Sequence, residues 1–446
     1  MARHAPATGI GVVGAGYVGL TTAACLAHLG HDVVCMDTDR SKIAQLRAGD
    51  VPVREPGLDE LVYEGTGVGH QRAGAARLSF TPDIESLAGC GMVVLCLPTP
   101  MDDYGDPDTS AVDSVAHQLA SLLPANAVLV NKSTVPVGST HRAERLLGRS
   151  DVAAVSNPEF LREGHAVEDF LRPARIVIGA SDVEASAIVE RMYDGVDAPI
   201  VRTDPVSAEL AKYACNAFLA VKLSYTNLLS ALCEQVGGEI GEVARIMALD
   251  DRIGAAFLRP GPGWGGSCLP KDTMALLRTG RRAGLDFGLV RAAIDVNAQQ
   301  LDRVVRDVRR AVTGEESGRI AGHRIGLLGL TFKAGTADLR DSPALAVAAA
   351  LAREGAALTG YDPEVPSERQ QAVAEVRLVD DPYQVAKGAS AVVLLTEWPE
   401  FAELDWSVIG AAANNPVVVD TRGVLGHPDT EQPGIERIAL GDGMHR

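Results

Sequence analysis

The stretch Gly9-Ile10-Gly11-Val12-Val13-Gly14-Ala15-Gly16-Tyr17-Val18-Gly19 decides the fold. Gly9 to Val13 reads as a buried parallel strand, and Gly14 to Gly19 then opens a helix running to about Leu29. A second strand, Asp32 to Met36, ends at Asp37. Glycines let backbone approach a pyrophosphate at a helix N-terminus, and an acid closing the next strand accepts hydrogen bonds from the adenosine ribose. A lone GxGxxG says little; strand, helix, strand and terminal acid in register make a dinucleotide-binding unit. Asp37 favours NAD over NADP because a carboxylate repels a 2′-phosphate. Arg40 and Lys42 place cations beside it, and Lys42 has a second reading as a partner of a cofactor phosphate.

Further strand–turn–helix units succeed it. Met92 to Leu97 is an apolar strand ending in Pro98-Thr99-Pro100, and Ala127 to Asn131 is another, ending in Lys132-Ser133-Thr134-Val135-Pro136. Loops at the carboxyl ends of parallel strands line the ligand crevice, so Thr99 and Thr134 are expected to face the cofactor. Capping of a helix by either hydroxyl is the competing reading. Glu64 to Ala76, glycine-rich and polar, is expected to be a mobile loop. In Asn157-Pro158-Glu159-Phe160-Leu161-Arg162-Glu163-Gly164 two carboxylates stand one helical turn apart, which predicts a shared helix face suited to acid–base work or, the commoner outcome for such a pair, a solvated edge. This first domain is expected to span residues 1–204.

After Thr203-Asp204-Pro205, apolar residues recur at helical spacing through Leu210, Ala214, Phe218, Val221, Leu228 and Leu232, predicting one helix to about Val236, stopped by Gly237-Gly238. A helix that long spans domains or builds a dimer interface. Lys212 and Asn216 lie one turn apart on its apolar background, and a buried lysine is suited to proton transfer. Residues 205–300 form a helical connector that also carries Gly261-Pro262-Gly263-Trp264-Gly265-Gly266-Ser267-Cys268-Leu269-Pro270-Lys271-Asp272. Pro270 suits the first turn of a helix. Cys268 then sits at that helix's positive end, a setting that favours a thiolate, with Lys271 adding a cation and Asp272 one turn on. Arg252 and Arg259 bring charge beside this loop. From 317 to 446 a second βαβ pattern appears: strand Arg324–Leu328, helix Ser342–Arg353, strand Ala357–Tyr361 and a closing Asp362, with the phosphate-binding glycines thinned out. Lys333, Arg340 and Arg422 fall in its strand-end loops, and the tail after Gly426 is expected to fray. The fold class is therefore α/β: two Rossmann-like doubly wound parallel sheets joined by a long helix and a small helical domain.

A formal net charge of −17 argues against nucleic acid or anionic membrane as partners, which need basic faces. Seven scattered cysteines without a CxxC pair argue against a disulfide framework or a zinc site, so no metal is expected. No signal-like or membrane-length apolar run appears, so a cytoplasmic protein is expected.

In order along the chain, GAGYVG, KSTVPVG, NPEFLREG, KYACNAFLAVK, DDRIGAAFLRPGPGWGGSCLPKD and GLTFKAGTADLRDSP resemble the UDP-glucose/GDP-mannose dehydrogenase family. The RIG followed by FLxxGxGxGGSC looks like the UDP-glucose 6-dehydrogenase branch; UDP-N-acetylhexosamine branches tend to carry His where Ser267 stands. The resemblance implies a four-electron oxidation of a sugar C6 hydroxyl to a carboxylate with two NAD. It makes Cys268 the nucleophile, through a thiohemiacetal and a thioester. Lys212 and Asn216 steady the oxyanion or water, and Asp272, Glu159 and Thr134 are candidates for activating water, with their separate roles open. Gly14, Gly16, Tyr17, Val18, Asp37, Lys42, Thr99, Thr134, Glu163, Lys271 and Arg340 match cofactor positions. Glu159, Phe160, Leu161, Arg162, Glu163, Lys212, Asn216, Phe257, Leu258, Gly261, Gly265, Lys333 and Arg422 match nucleotide-sugar positions. Arg252 matches a residue that reaches a neighbouring subunit, implying a homodimer through the long helix.

Two other readings stand beside this one. A two-electron NAD dehydrogenase would use Lys212 and Asn216 without Cys268. A non-catalytic NAD-binding regulator would have lost the thiol, the lysine or the glycine loop, and all three are present.

Overall fold

The computed structural model describes residues 9–67, 76–102, 106–426 and 433–441. The chain divides into two compact units, Met1–Cys215 with Met274–Ala283, and Asn216–Thr273 with Gly284–Arg446. Each unit is built on its own sheet.

In the first unit, eight strands are β1 (Ile10–Val13), β2 (Val33–Met36), β3 (Leu78–Thr81), β4 (Met92–Leu95), β5 (Val128–Asn131), β6 (Ala153–Ser156), β7 (Ile176–Ala180) and β8 (Ile200–Thr203). Their order is β3-β2-β1-β4-β5-β6-β7-β8. All neighbours are parallel except β6 and β7, which run antiparallel. Successive residues of one strand enter different cores: Val12, Met92 and Val94 join one cluster, while Val13, Val93 and Leu95 join another. Both faces are therefore covered, which is why these strands read as unbroken apolar runs. The helix Tyr17–His28 buries Gly19 to Ala27 against this sheet, and its small residues Ala23, Ala24 and Ala27 let it lie close.

The second unit holds β9 (Arg324–Leu328), β10 (Ala357–Tyr361), β11 (Val376–Leu378), β12 (Ala391–Leu394), β13 (Val417–Asp420) and β14 (Glu436–Ala439). The order is β11-β10-β9-β12-β13-β14, all parallel. Again Leu327 and Val393 feed one core, and Leu328 and Leu394 the other. Asp362 closes β10 by accepting bonds from the Leu330 and Thr331 N–H groups at 2.7 and 3.0 Å, and Ser342 caps the helix Pro343–Arg353.

The long helix runs Pro205–Val236 and is stopped by Gly237 at φ 76°. Among the described residues no helix is long and apolar enough to cross a membrane.

Three expectations change. The tail after Gly426 is not simply frayed: Glu436–Ala439 pairs with β13 in parallel register, and the Gly441 N–H donates to Glu234 at 2.7 Å. Residues 427–432 and 442–446 lie outside the described residues. Of Glu64–Ala76, the first three residues end the helix Leu58–Thr66, and 68–75 lie outside the described residues. Glu159 and Glu163 share no helix face, because residues 157–165 carry no helix. Pro158 supplies no N–H, and the Glu159 carboxylate takes the Leu161 N–H at 2.6 Å, folding the chain into a local turn instead.

Asp307 gives this fold a pH dependence. It is buried on the helix Gly288–Thr313 with Arg310 on Oδ1 at 2.9 Å. Burial, against the pull of Arg310, pushes its carboxyl from 3.8 up to about 6. A raised carboxyl pKa means that ionisation costs the folded state: stability is undiminished below 3.8 and falls as pH rises through about 6. The gap corresponds to an upper bound of ~3 kcal/mol. Asp307→Asn is expected to raise Tm at pH 8 and leave it unchanged near pH 3.5; calorimetry at both pH values checks this, and an equal shift at the two would contradict it.

Candidate active site

The rim of the first sheet is shaped for a dinucleotide. Gly14 turns at φ 98°, where a Cβ would meet the Cys96 carbonyl at 2.4 Å. A Cβ on Gly19 would meet the Gly14 carbonyl at 1.8 Å, so both glycines are demanded by the protein's own packing. Gly16 differs: a Cβ there meets nothing within 4 Å. It precedes the helix Tyr17–His28 with no side-chain cap, so the helix's first N–H groups are not capped by its side chain. At the end of β2, Asp37 Oδ2 accepts from the Ala15 N–H at 2.8 Å and Lys42 Nζ at 2.9 Å, and Oδ1 from the Asp39 N–H at 2.9 Å. Burial pushes its carboxyl up, but these donors outweigh burial and hold it below its ordinary value. Lys42 thus pairs with Asp37. Thr99 Oγ1 donates to the Thr134 carbonyl at 2.7 Å, tying the β4 and β5 end loops together. Open space at Gly16, a helix N-terminus and a fixed acid at the end of β2 fit NAD.

Beyond β6, Glu159 and Lys212 form an ion pair of 2.8 Å with side chains only 7% and 4% exposed. Burial raises the Glu159 carboxyl; Lys212, the Leu161 N–H and the charge of Lys132 more than reverse this, and the net shift is downward. Phe160 lies beneath Arg175, whose guanidinium is 3.7 Å from the ring centroid, with Lys212 Nζ 5.5 Å away. Arg162 turns outward to Asp169, at 2.6 Å. Glu163 is half-buried near Tyr17, whose phenol is pushed up by burial and then by the charges of Glu55, Glu163 and Glu159.

In the second unit, Cys268 immediately precedes the helix Leu269–Arg282, and its carbonyl accepts the Asp272 N–H at 2.9 Å. It is the N-cap residue. Its sulfur is half-buried, 3.6 Å from Ser267 Oγ. Cys25, Cys35, Cys90, Cys96 and Cys233 are all sealed in, and burial pushes each of those thiols up. Asp272, fully buried, accepts from Asn216 Nδ2 at 2.6 Å and Lys271 Nζ at 2.8 Å. Gly265 and Gly266 are required by contact: a Cβ on Gly265 would meet the Asp341 carbonyl at 1.9 Å, and one on Gly266 the Phe332 ring at 2.7 Å. Arg422 donates to the Leu395 carbonyl at 2.9 Å and reaches Glu397 at 3.2 Å, with its Nη1 2.9 Å from where a Gly261 Cβ would be. Leu258 is buried, and Phe257 is held at φ 64°, a conformation rare for a bulky residue. Lys333 is half-buried beside the Phe332 ring. Arg252 and Arg340 lie on the exterior, paired with Asp250 and Asp338 at 2.6 Å each.

Two supports were not legible in the sequence. Glu209, buried one turn before Lys212, accepts from Thr140 N and Oγ1 at 2.7 and 2.6 Å, capping the helix Ser139–Leu147. Lys132, also buried, donates to Asn157 Oδ1 at 3.2 Å and Tyr193 OH at 3.0 Å, which fixes the chain just before Glu159. Charged residues inside apolar stretches were the signal available.

Three family models account for the chain in succession: the NAD binding domain of the UDP-glucose/GDP-mannose dehydrogenase family at residues 8–197, its central domain at 206–299 and its UDP binding domain at 326–427. The chain belongs to this family. It is an NAD-dependent nucleotide-sugar dehydrogenase. A UDP-glucose 6-dehydrogenase of Rhizobium meliloti is 42% identical, covering 97% of this chain and 99% of that one. One from Pseudomonas aeruginosa is 40% identical over 92% of each chain. A UDP-glucose dehydrogenase structure from Pyrobaculum islandicum superposes with TM-score 0.87 at 33% identity, covering 99% of both chains.

The contrast among glycines is testable. Gly16→Ala is expected to leave the apoenzyme's Tm unchanged while weakening NAD by about tenfold or more, since only the ligand occupies that space. Gly19→Ala is expected to unfold the domain. Unaltered NAD affinity in a folded Gly16→Ala protein would remove Gly16 from the cradle.

Proposed function

We propose that this chain oxidises the C6 hydroxyl of UDP-glucose to the carboxylate of UDP-glucuronate. Support for the substrate comes from full-length relatives named UDP-glucose 6-dehydrogenase at 35–42% identity, and from Ser267 before the cysteine. The observation that carries the four-electron chemistry is Cys268: a half-exposed thiol at a helix N-cap, where the dipole favours the anion.

NAD, when bound, accepts a hydride from the sugar carbon in each of two oxidations. The first converts the alcohol to an aldehyde as its hydroxyl proton is lost to a base. The Cys268 thiolate then adds to the aldehyde carbon, forming a C–S bond and a thiohemiacetal oxyanion. Loss of the second hydride leaves a thioester. Water attacks it, the C–S bond breaks, and carboxylate and thiolate are released. Lys212 is placed by the reading as the cation that steadies the oxyanion, and Asn216 as its orienting partner. Glu159, held as carboxylate, Asp272 and Thr134 are the candidates for activating water. Gly14, Gly16, Asp37, Thr99 and Thr134 hold the cofactor; Phe160, Leu161, Phe257, Leu258, Lys333 and Arg422 hold the nucleotide sugar.

The test is a panel of UDP-glucose, dTDP-glucose, GDP-mannose and a UDP-N-acetylhexosamine, with NADH counted and product mass measured. UDP-glucose is expected to lead in kcat/KM by more than about tenfold, with two NADH per acid. One NADH per product overturns the four-electron reading. Cys268→Ser is expected to bind NAD normally and lose acid formation by about a thousandfold or more; acid production at the parent rate overturns the covalent route.

The same reading includes a homodimer through the long helix. Phe218, Tyr225, Leu228 and Leu232 are 62%, 52%, 49% and 55% exposed. Their spacing of seven, three and four residues makes one stripe on one face. A stripe left in water along a helix is self-complementary across a two-fold axis, so a second copy covers it. Leu232→Asp is expected to run as a single chain in light scattering while retaining its fold by circular dichroism. An unchanged mass would exclude this interface.

A further inference from the structure

We propose that Asn297, Gln300 and Asn227 are positioning residues for the nucleophile: they hold the glycine loop from which Cys268 projects. The proposal rests on Cys268 being that nucleophile. From Leu249 to Cys268 the chain has no helix or strand. Its ordering falls to other groups, because a loop with Gly263 at φ 130° and Gly266 at φ 82° loses much backbone entropy on becoming fixed.

Two residues of the loop are gripped at both backbone groups. The Gly261 N–H donates to Asn227 Oδ1 at 2.9 Å, and its carbonyl accepts from Gln300 Nε2 at 2.8 Å. The Trp264 N–H donates to Asn297 Oδ1 at 2.8 Å, and its carbonyl accepts from Asn297 Nδ2 at 2.9 Å. One side-chain amide thus does for Trp264 what a neighbouring strand does for a residue in a sheet. The Trp264 indole N–H adds a bond to Ser224 Oγ at 2.9 Å, which itself donates to the Ala293 carbonyl at 2.7 Å.

Arg303 fixes how the Gln300 amide points and ties down the backbone that carries Asn227. Buried at 8% exposure, it donates to Gln300 Oε1 at 3.4 Å and to the Asn227 carbonyl at 3.2 Å. With Oε1 engaged, the Gln300 NH2 group is the one turned to Gly261. Arg303 also bonds Ser230 Oγ at 3.2 Å and Glu234, and Glu234 accepts the Gly441 N–H at the end of β14. A buried network completed at each member is stiff. None of the three amides stands among the residues expected to touch cofactor or sugar. What they set is where the sulfur is, and a displacement near 1 Å costs about a hundredfold in rate.

The experiment compares Asn297→Ala and Gln300→Ala with the parent, using kcat, both KM values, the alkylation rate of Cys268 by iodoacetamide in the apoenzyme, and Tm. Expected are a fall in kcat of ~100-fold for Asn297→Ala, a KM for NAD changed less than threefold, and a clearly altered alkylation rate. Gln300→Ala, which removes one bond, is expected to show the same pattern more weakly, and serves if Asn297→Ala does not fold. A folded variant with parental kcat, or one whose kcat falls with Cys268 alkylation unchanged, overturns the proposal; a lower Tm alone does too. Failure of the nucleophile reading is separately visible, because Cys268→Ser would then still make acid, whereas alkylation reports the loop whatever the sulfur does.

Discussion

A carboxylate and an ammonium meet out of water where the loop after β6 faces the long helix. Neither Glu159 nor Lys212 tolerates that setting alone: stripping one partner from a buried pair costs about 3–5 kcal/mol, although the pair itself contributes little net stability. Its value is in specification. The pair fixes one rotation of the long helix and one conformation of the Asn157–Gly164 turn together. Lys132 behind Asn157 and Glu209 behind Lys212 extend the same arrangement outward. Charged groups here are spent on geometry, with the hydrophobic clusters on both sheet faces supplying the stability that offsets them.

The second unit solves a related problem with neutral groups. A glycine loop that comes close to its own neighbours has few side chains of its own to pack. Gly265 and Gly266 therefore lie directly against the Asp341 carbonyl and the Phe332 ring, while amides from two helices hold the backbone of Gly261 and Trp264. The half-buried thiol stands four residues after the bonded backbone of Trp264, at the start of a helix whose first turn carries Asp272. In this unit the strain is local: Phe257 and Asp341, at φ 64° and 45°, flank this region.

The sheets were legible because their causes are local and repeated. Val12-Val13 and Val93-Val94 announce strands covered on both faces, and Gly14 to Gly19 with Asp37 announces the nucleotide-binding turn at their ends. The Asn157–Gly164 segment was misread as helix since spacing alone cannot show a side chain capturing a nearby N–H, as Glu159 does with Leu161. β14 carries the sequence Glu-Arg-Ile-Ala, too short and polar to stand out, and exists through its pairing with β13. Glu209, Asn297 and Gln300 act on partners dozens of residues away, a distance over which a window of sequence holds no information. That Lys212 would meet Glu159 in particular lay beyond the sequence for the same reason.

The reversal at β7 has a geometric outcome. β7 and β8 run against the rest of the sheet, so Asp204 emerges at the edge opposite the one where β1, β4, β5 and β6 end. Gly179 has no room for a side chain there, since a Cβ would strike Ala208 at 2.5 Å and the Asp204 carbonyl at 2.9 Å. From that tight start the helix must travel back across the sheet, and the residues from Pro205 to Lys212 advance by ~1.5 Å each, about the length of a four-residue strand. The first two turns of the helix are thus a ruler that returns the lysine to the edge where Glu159 stands. One residue added within them would swing its ammonium by about 100° around the axis, so the spacing between the last strand and the lysine is as much a part of the buried ion pair as the lysine.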